Sequence, residues 1–249
     1  MNSTKAQHAG LYIHIPFCIK KCPYCDFYST TDTSLKAAFI EALQHEMAMV
    51  SNEFSAFDTF YIGGGTPSVF DVEDISKVIE TAHKFFNILP HTETTMEVNP
   101  GTVTPERLWG YRSSGINRIN IGVQSFQDKN LDFLGRIHSG MDALLSVKWA
   151  RKAGFDNIGI DLIYGIPGQS KASWLTDLKK AVEIGPEHLS CYMLTYETGT
   201  PMERCRQQGI FQPLGDGRVG KLFETTTAFL DAHGYTQYEV SNFAVSESK

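Results

Sequence analysis

Six short runs rich in β-branched and aromatic residues, each followed by a segment with helical spacing of apolar positions, constrain the fold of this 249-residue chain most. The runs are Leu11 to Phe17, Phe57 to Ile62, Thr94 to Val98, Arg118 to Gln124, Asn157 to Ile163 and His188 to Thr195. In the first helix-like segment, Ser34 to about Asn52, Leu35, Phe39, Leu43, Met47 and Val50 recur at helical spacing. Further helical segments are Asp71 to Phe86, Pro105 to Ser113, Met141 to Ala153 and Lys171 to Ile184, with Arg218 to Ala232 after the sixth strand. Such alternation favours an α/β architecture, a parallel sheet with helices outside. A closed eight-stranded barrel and an open sheet share the pattern, and six units make eight-strand closure doubtful. At 42% hydrophobic, the chain can bury a sizeable core as one domain.

In folds of this type ligands gather at the carboxyl ends of the strands. The loop after the first strand carries Cys18, Cys22 and Cys25, three thiols within eight residues. A four-iron cluster normally takes four cysteines, so three close ligands would hold three irons and leave the fourth open to a non-protein ligand. A structural zinc site usually takes two separated ligand pairs, and no second pair is present. Five cysteines make a disulfide framework a poor fit. Cys191, inside the apolar Leu189 to Leu194, and Cys205, in a polar stretch, read as packing residues.

Polar or glycine-rich residues recur where the other strands end. The second runs into Gly63-Gly64-Gly65-Thr66-Pro67-Ser68, where backbone can approach a ligand without Cβ obstruction. Glu97 lies in the third strand, a place where a carboxylate is rarely buried without a partner. Gln124 is at the tip of the fourth, and Asp161 stands between Ile160 and Leu162 in the fifth. Each alone is compatible with a cap or turn, and together they suggest a ligand-lined cavity. Arg136 could grip a carboxylate through its fork or be a solvated charge. His14 reads as a core residue or a site neighbour rather than a metal ligand.

A net charge of −6 without a long basic run argues against a nucleic-acid partner. No run approaches the roughly 18 apolar residues of a membrane span, and the first ten residues lack a signal-peptide core, so the expected location is cytoplasmic. Residues 1–10 read as a flexible N-terminus, 11–245 as the core domain and 246–249 as a polar tail.

The Cys-x3-Cys-x2-Cys spacing, with Tyr12, Pro16, Phe17, Tyr24 and Asp26 around it, resembles that of radical S-adenosylmethionine (SAM) proteins. Further matching stretches are the run from Gly63, Glu97 to Pro100, Asn117 to Phe126, Leu134 to Ser139, Asp161 to Pro167 and Tyr238 to Ala244. With these, nearly the whole chain resembles the oxygen-independent coproporphyrinogen III oxidase family, especially its haem-chaperone branch. The resemblance implies an incomplete (β/α)6 barrel with the cluster loop after the first strand. It implies a [4Fe-4S] cluster on Cys18, Cys22 and Cys25 with SAM at the open iron. Tyr12, Gly64, Glu97 and Gln124 would line the SAM site, with Tyr24, Gly65, Thr66, Arg136 and Asp161 also at SAM-binding positions. The implied chemistry is reductive cleavage of SAM to methionine and a 5′-deoxyadenosyl radical, with no catalytic side chain assigned.

Two departures from the family matter. The oxidase carries one more cysteine two residues after the third, where this chain has Phe27. That favours the chaperone branch, linked to binding haem and passing it to an acceptor protein. The alternatives are oxidation of coproporphyrinogen III, which would need an electron donor, and radical chemistry on an unrelated substrate. The family's smaller C-terminal domain, with its His-Asn-x-x-Tyr-Trp motif, is expected to be absent before Lys249.

Overall fold

The computed structural model describes residues 9–51 and 56–245. The tail at 246–249, the end of the first helical segment at Asn52 and most of the N-terminal segment lie outside these residues. The six anticipated strands are β1 (Ala9–Ile15), β2 (Phe57–Gly64), β3 (Ile88–Val98), β4 (Arg118–Gln124), β5 (Asn157–Tyr164) and β6 (His188–Met193). They pair in chain order, each parallel to the next. Helices α1 (Lys36–Met49), α2 (Val72–Phe85), α3 (Pro105–Ser113), α4 (Asp128–Phe133), α5 (Gly140–Lys152), α6 (Lys171–Ile184), α7 (Pro201–Gln207) and α8 (Asp216–Asp231) fill the connections. The architecture is α/β, an incomplete barrel in which, among the described residues, the two ends of the sheet do not pair.

Several boundaries differ from the sequence reading. The sheet has eight strands, because β7 (Thr236–Gln237) and β8 (Asn242–Ala244) extend it antiparallel beyond β6. Strands of two and three residues are too short to carry a period. The first strand ends at Ile15, and β3 starts at Ile88 rather than Thr94. Pro90 falls between the two stretches of β3 that pair with β2, Ile88 opposite Phe57 and Glu93 opposite Thr59, where a missing N–H costs no ladder bond. The short α4 and α7 lie in loops after β4 and β6, where sequence periodicity had no room to appear.

Strand alternation divides the sheet into two chemically distinct faces. Ile13, Ile15, Phe60, Ile62, Met96, Ile119, Ile121, Ile158, Ile160 and Leu189 join Ile75, Val78, Leu108, Val147, Trp174 and Leu178 of the helices in one buried core. Burying each such side chain contributes about 1.5–3 kcal/mol before chain entropy is subtracted. The inner face is polar. Tyr12 pairs with Tyr61, Tyr61 with Thr95, Thr95 with Arg118 and Arg118 with Asn157, while Glu97 faces Asn120 one step further along the strands. Parallel strands buried on both faces read as continuous hydrophobic runs, so this polar inner row marks the side that carries chemistry. Among the described residues no helix is long and apolar enough to cross a membrane.

Candidate functional site

The thiols sit on a loop held in place from several sides. Its base is closed by Phe17 bridging Thr30, with Cys18 N–H donating to Thr30 O at 2.9 Å and Thr30 N–H to Pro16 O at 2.7 Å. Cys25 N–H donates to Cys22 O at 3.0 Å, and Met202 N–H at the start of α7 donates to Pro23 O at 2.9 Å. Tyr24 packs on a small apolar cluster of Leu134, Ile163, Ile166, Leu194 and Met202. Phe27 lies at the outside of the loop, 70% exposed.

The end of β2 closes on this loop. Gly65 N–H donates to Ile15 O at 2.7 Å and Thr66 N–H to Phe17 O at 2.8 Å, so the β1–β2 ladder runs up to Cys18. A Cβ at Gly65 would stand 2.7 Å from Phe17 O and 3.0 Å from Cys18 Sγ, closer than packing allows. Thr66 Oγ1 donates to Cys18 Sγ at 3.6 Å. Beside it, Glu97 accepts from Tyr61 OH at 2.8 Å and from Gly64 N–H at 3.1 Å. Burial pushes the Glu97 carboxyl up. Tyr12 OH is 3.2 Å from His14 Nδ1, and the other ring nitrogen meets Tyr28 O at 2.9 Å. His14 therefore lies at the site, in contact with Tyr12, with both nitrogens engaged.

At the end of β4 the pairing register slips between Ile121 and Gln124, and Gln124 adopts φ 66°, among the described residues the one non-glycine residue with positive φ. Bulges and left-handed conformations of this kind re-aim side chains and persist where surrounding structure enforces them. The enforcing group is Asp177 of α6, fully buried, which accepts from Ser125 Oγ at 2.8 Å and Phe126 N–H at 2.9 Å. Arg136 donates to Gly122 O at 2.8 Å and to Cys22 Sγ at 3.5 Å, with Tyr24 beside it. A Cβ at Gly122 would lie 3.0 Å from Gln124 Nε2 and 3.3 Å from Arg136 Nη2, so glycine leaves room for both. His138 braces the same corner, with ring nitrogens 3.2 Å from Asn99 Oδ1 and 3.0 Å from Val123 O. Burial and then the Arg136 charge depress its pKa to about 4, keeping it neutral.

Asp161 completes the inner face. Asn120 Nδ2 donates to its Oδ2 at 2.8 Å, while Asp161 Oδ1 and Asn120 Oδ1 are buried without a protein partner. Burial and the neighbouring Glu97 charge raise the Asp161 pKa to about 7.

All of the sequence-selected positions thus fall on the inner face or at the carboxyl ends of β1 to β5. Cys18 meets Gly65 and Thr66; Cys22 meets Tyr24 and Arg136; Glu97 meets Gly64 and Tyr61; Asp161 stands across Asn120. The sequence reading passed over Tyr61, Arg118, Asn120, Gly122, His138 and Asp177, although the strand period already gave Arg118 and Asn120 the same parity as Gln124.

The donor set fits an iron–sulfur cluster with a polar ligand beside it. Three thiols bonded to three different irons need not converge on one point, and among the described residues no three His, Cys, Asp or Glu side chains do. The orphaned Asp161 Oδ1 supplies a buried acceptor on the inner face, and the absence of a side chain at Gly65 lets the end of β2 close against Cys18.

Comparison with known proteins agrees with this geometry. The chain is 38% identical over 243 residues to "Heme chaperone HemW" of Haemophilus influenzae, and 38% identical over 242 residues to the protein of the same name from Escherichia coli. Each alignment covers 94% of this chain and 62% of the relative, so the chain spans less than two thirds of these proteins' length. Coproporphyrinogen III oxidase (HemN) from Escherichia coli, described as a radical SAM enzyme, superposes with a TM-score of 0.85 at 27% identity, covering 94% of this chain and 55% of that one. The family model for the radical SAM superfamily matches residues 12–181. The chain belongs to the radical SAM superfamily, and membership implies a [4Fe-4S] cluster and SAM as its cofactors.

Proposed function

We propose that this chain is the radical SAM portion of a haem chaperone, binding haem and passing it to an acceptor protein. The observation that carries the reading is the 38% identity to two proteins named as haem chaperones across 94% of the chain. Phe27 supports it: the oxidase pattern has a cysteine there, and this position holds an exposed aromatic side chain.

In this reading Cys18, Cys22 and Cys25 would hold the cluster, leaving one iron free of protein ligands for SAM. When bound and reduced, the cluster supplies one electron for reductive cleavage of SAM. Glu97 and the backbone around Gly64 to Thr66 receive the amino acid end of SAM, with Tyr12 alongside. Gln124 and Asp161 accept from the nucleoside hydroxyls. Arg136 and Tyr24 would brace Cys22 and border the same ligand, while the fold buries Cys18 and leaves Cys22 and Cys25 partly accessible.

The superposition with coproporphyrinogen III oxidase favours a second reading, oxidation of that tetrapyrrole with an external electron donor. Anaerobic turnover separates the two. Stoichiometric haem binding, seen as a Soret band, with transfer to an apo-acceptor supports the chaperone; protoporphyrinogen IX formation supports the oxidase. For the cofactor site itself, electron paramagnetic resonance of the reconstituted, dithionite-reduced protein should show a four-iron signal that changes when SAM is added. A reduced protein without a cluster signal would overturn both readings.

A further inference from the structure

Arg118 has no role in the reading above, and its position is costly. It opens β4 on the inner face, flanked in register by Thr95 of β3 and Asn157 of β5, and is 8% exposed. A guanidinium in such a place needs several strong acceptors to offset lost hydration. Its direct contacts are sparse: Thr95 Oγ1 at 3.4 Å and Glu93 Oε1 at 3.9 Å, with Nε buried and unpartnered.

What lies along the same face explains the placement. Asn120, two residues on and therefore about 7 Å along the strand, faces Glu97 on one side and donates to Asp161 on the other. Two buried carboxylates flanking one amide repel each other, and each resists ionisation while the other is charged. The cation one step below Asn120 bears on both.

We propose that Arg118 is a positioning residue, the buried counter-charge that keeps Glu97 and Asp161 together as carboxylates so that both accept hydrogen bonds from SAM. The inference rests on the assignment of these two side chains to SAM in the proposed function.

The other groups facing the pair do not supply this charge. His188, on β6, is depressed to about 4 by burial and then by Arg118, and its Nε2 lies 2.7 Å from Tyr238 OH. Burial raises the Tyr61, Tyr192 and Tyr238 hydroxyls, which stay protonated. Glu93 adds a further negative charge below, against Arg118.

The test is SAM affinity by equilibrium dialysis on reconstituted protein across neutral to mildly alkaline pH, from below to above the Asp161 pKa of about 7. In wild type the affinity should rise to a plateau as Asp161 ionises. Arg118→Met should bind SAM at least tenfold more weakly at pH 7, recover as pH rises, and keep its iron content. Arg118→Lys should restore most of the neutral-pH affinity, because it restores the charge without the fork. Superimposable pH profiles for wild type and Arg118→Met would overturn the inference. A uniform loss at every pH that Lys does not rescue would also overturn it, as a purely structural role. Glu97→Gln and Asp161→Asn separate the two levels: wild-type SAM affinity in both would sink the site assignment itself. Should Arg118→Met fail to fold, Arg118→Gln takes its place, since a polar side chain without the charge should displace the binding profile to higher pH without lowering its plateau. An unmoved profile in that variant overturns the proposal.

Discussion

Cys18, Cys22 and Cys25 differ from the remaining cysteines in what surrounds them. Cys18 receives a hydroxyl from Thr66 and Cys22 a guanidinium from Arg136, whereas Cys191 is buried in the core and burial, then the Asp161 charge, push its thiol up. Replacing any of the three loop cysteines by Ala should abolish cluster assembly, measured as iron and sulfide per chain, while Cys191→Ala and Cys205→Ala retain it. Gly65→Ala should fail as well, because its methyl group would have to displace Phe17 O or Cys18 Sγ. Iron content at the wild-type level in that variant would show that the loop can shift. The cysteine spacing was legible in sequence because one loop carries all three. Asn120 and Arg118 were not, since each matters through neighbours on β3 and β5 that are distant along the chain. An arginine opening a strand looks, alone, like a boundary residue, and a single asparagine inside one gives no sign of its partners.

At the level of elements, the bulged end of β4 depends on α6. Asp177 holds the two residues after Gln124, and removing it leaves a buried hydroxyl and a buried N–H without their acceptor. Asp177→Ala should lower stability by about 3 kcal/mol, a cost typical of breaking a buried charged network, and should weaken SAM binding beyond what unfolding explains. Denaturant melts with parallel SAM titration would check it; unchanged affinity would detach α6 from the site. The neighbouring α5 starts with a reciprocal cap, Ser139 accepting from Asp142 N–H at 3.2 Å while Asp142 accepts from Ser139 N–H at 2.8 Å. Ser139→Ala should cost about 1 kcal/mol and, two residues beyond Ile137, loosen Arg136. Strands and long helices were readable from period. The short α4 and α7, which position Arg136 and Pro23, were not, because six or seven residues carry too little pattern.

For the whole molecule, the inner face makes stability depend on pH. Asp161 binds its proton more tightly folded than unfolded, 7 against 3.8, so its own contribution to stability falls as pH rises through that window. His138 and His188, both depressed to about 4, act in the opposite sense, so the Asp161 contribution is read as a difference. The thermal midpoint of the metal-free protein relative to that of Asp161→Asn should decline from about pH 4 to pH 7. A difference that does not change with pH would contradict the buried environment assigned to that carboxyl. The loop that bears the thiols is secured by hydrogen bonds from Thr30, Gly65, Thr66 and Met202, contributed by distinct parts of the chain. None of those bonds involves iron. A small metal domain whose ligands alone define its fold unravels when the metal leaves. Here, loss of the cluster to oxygen would leave the receptor standing, so repair would require only iron, sulfide and reductant, without a new round of folding.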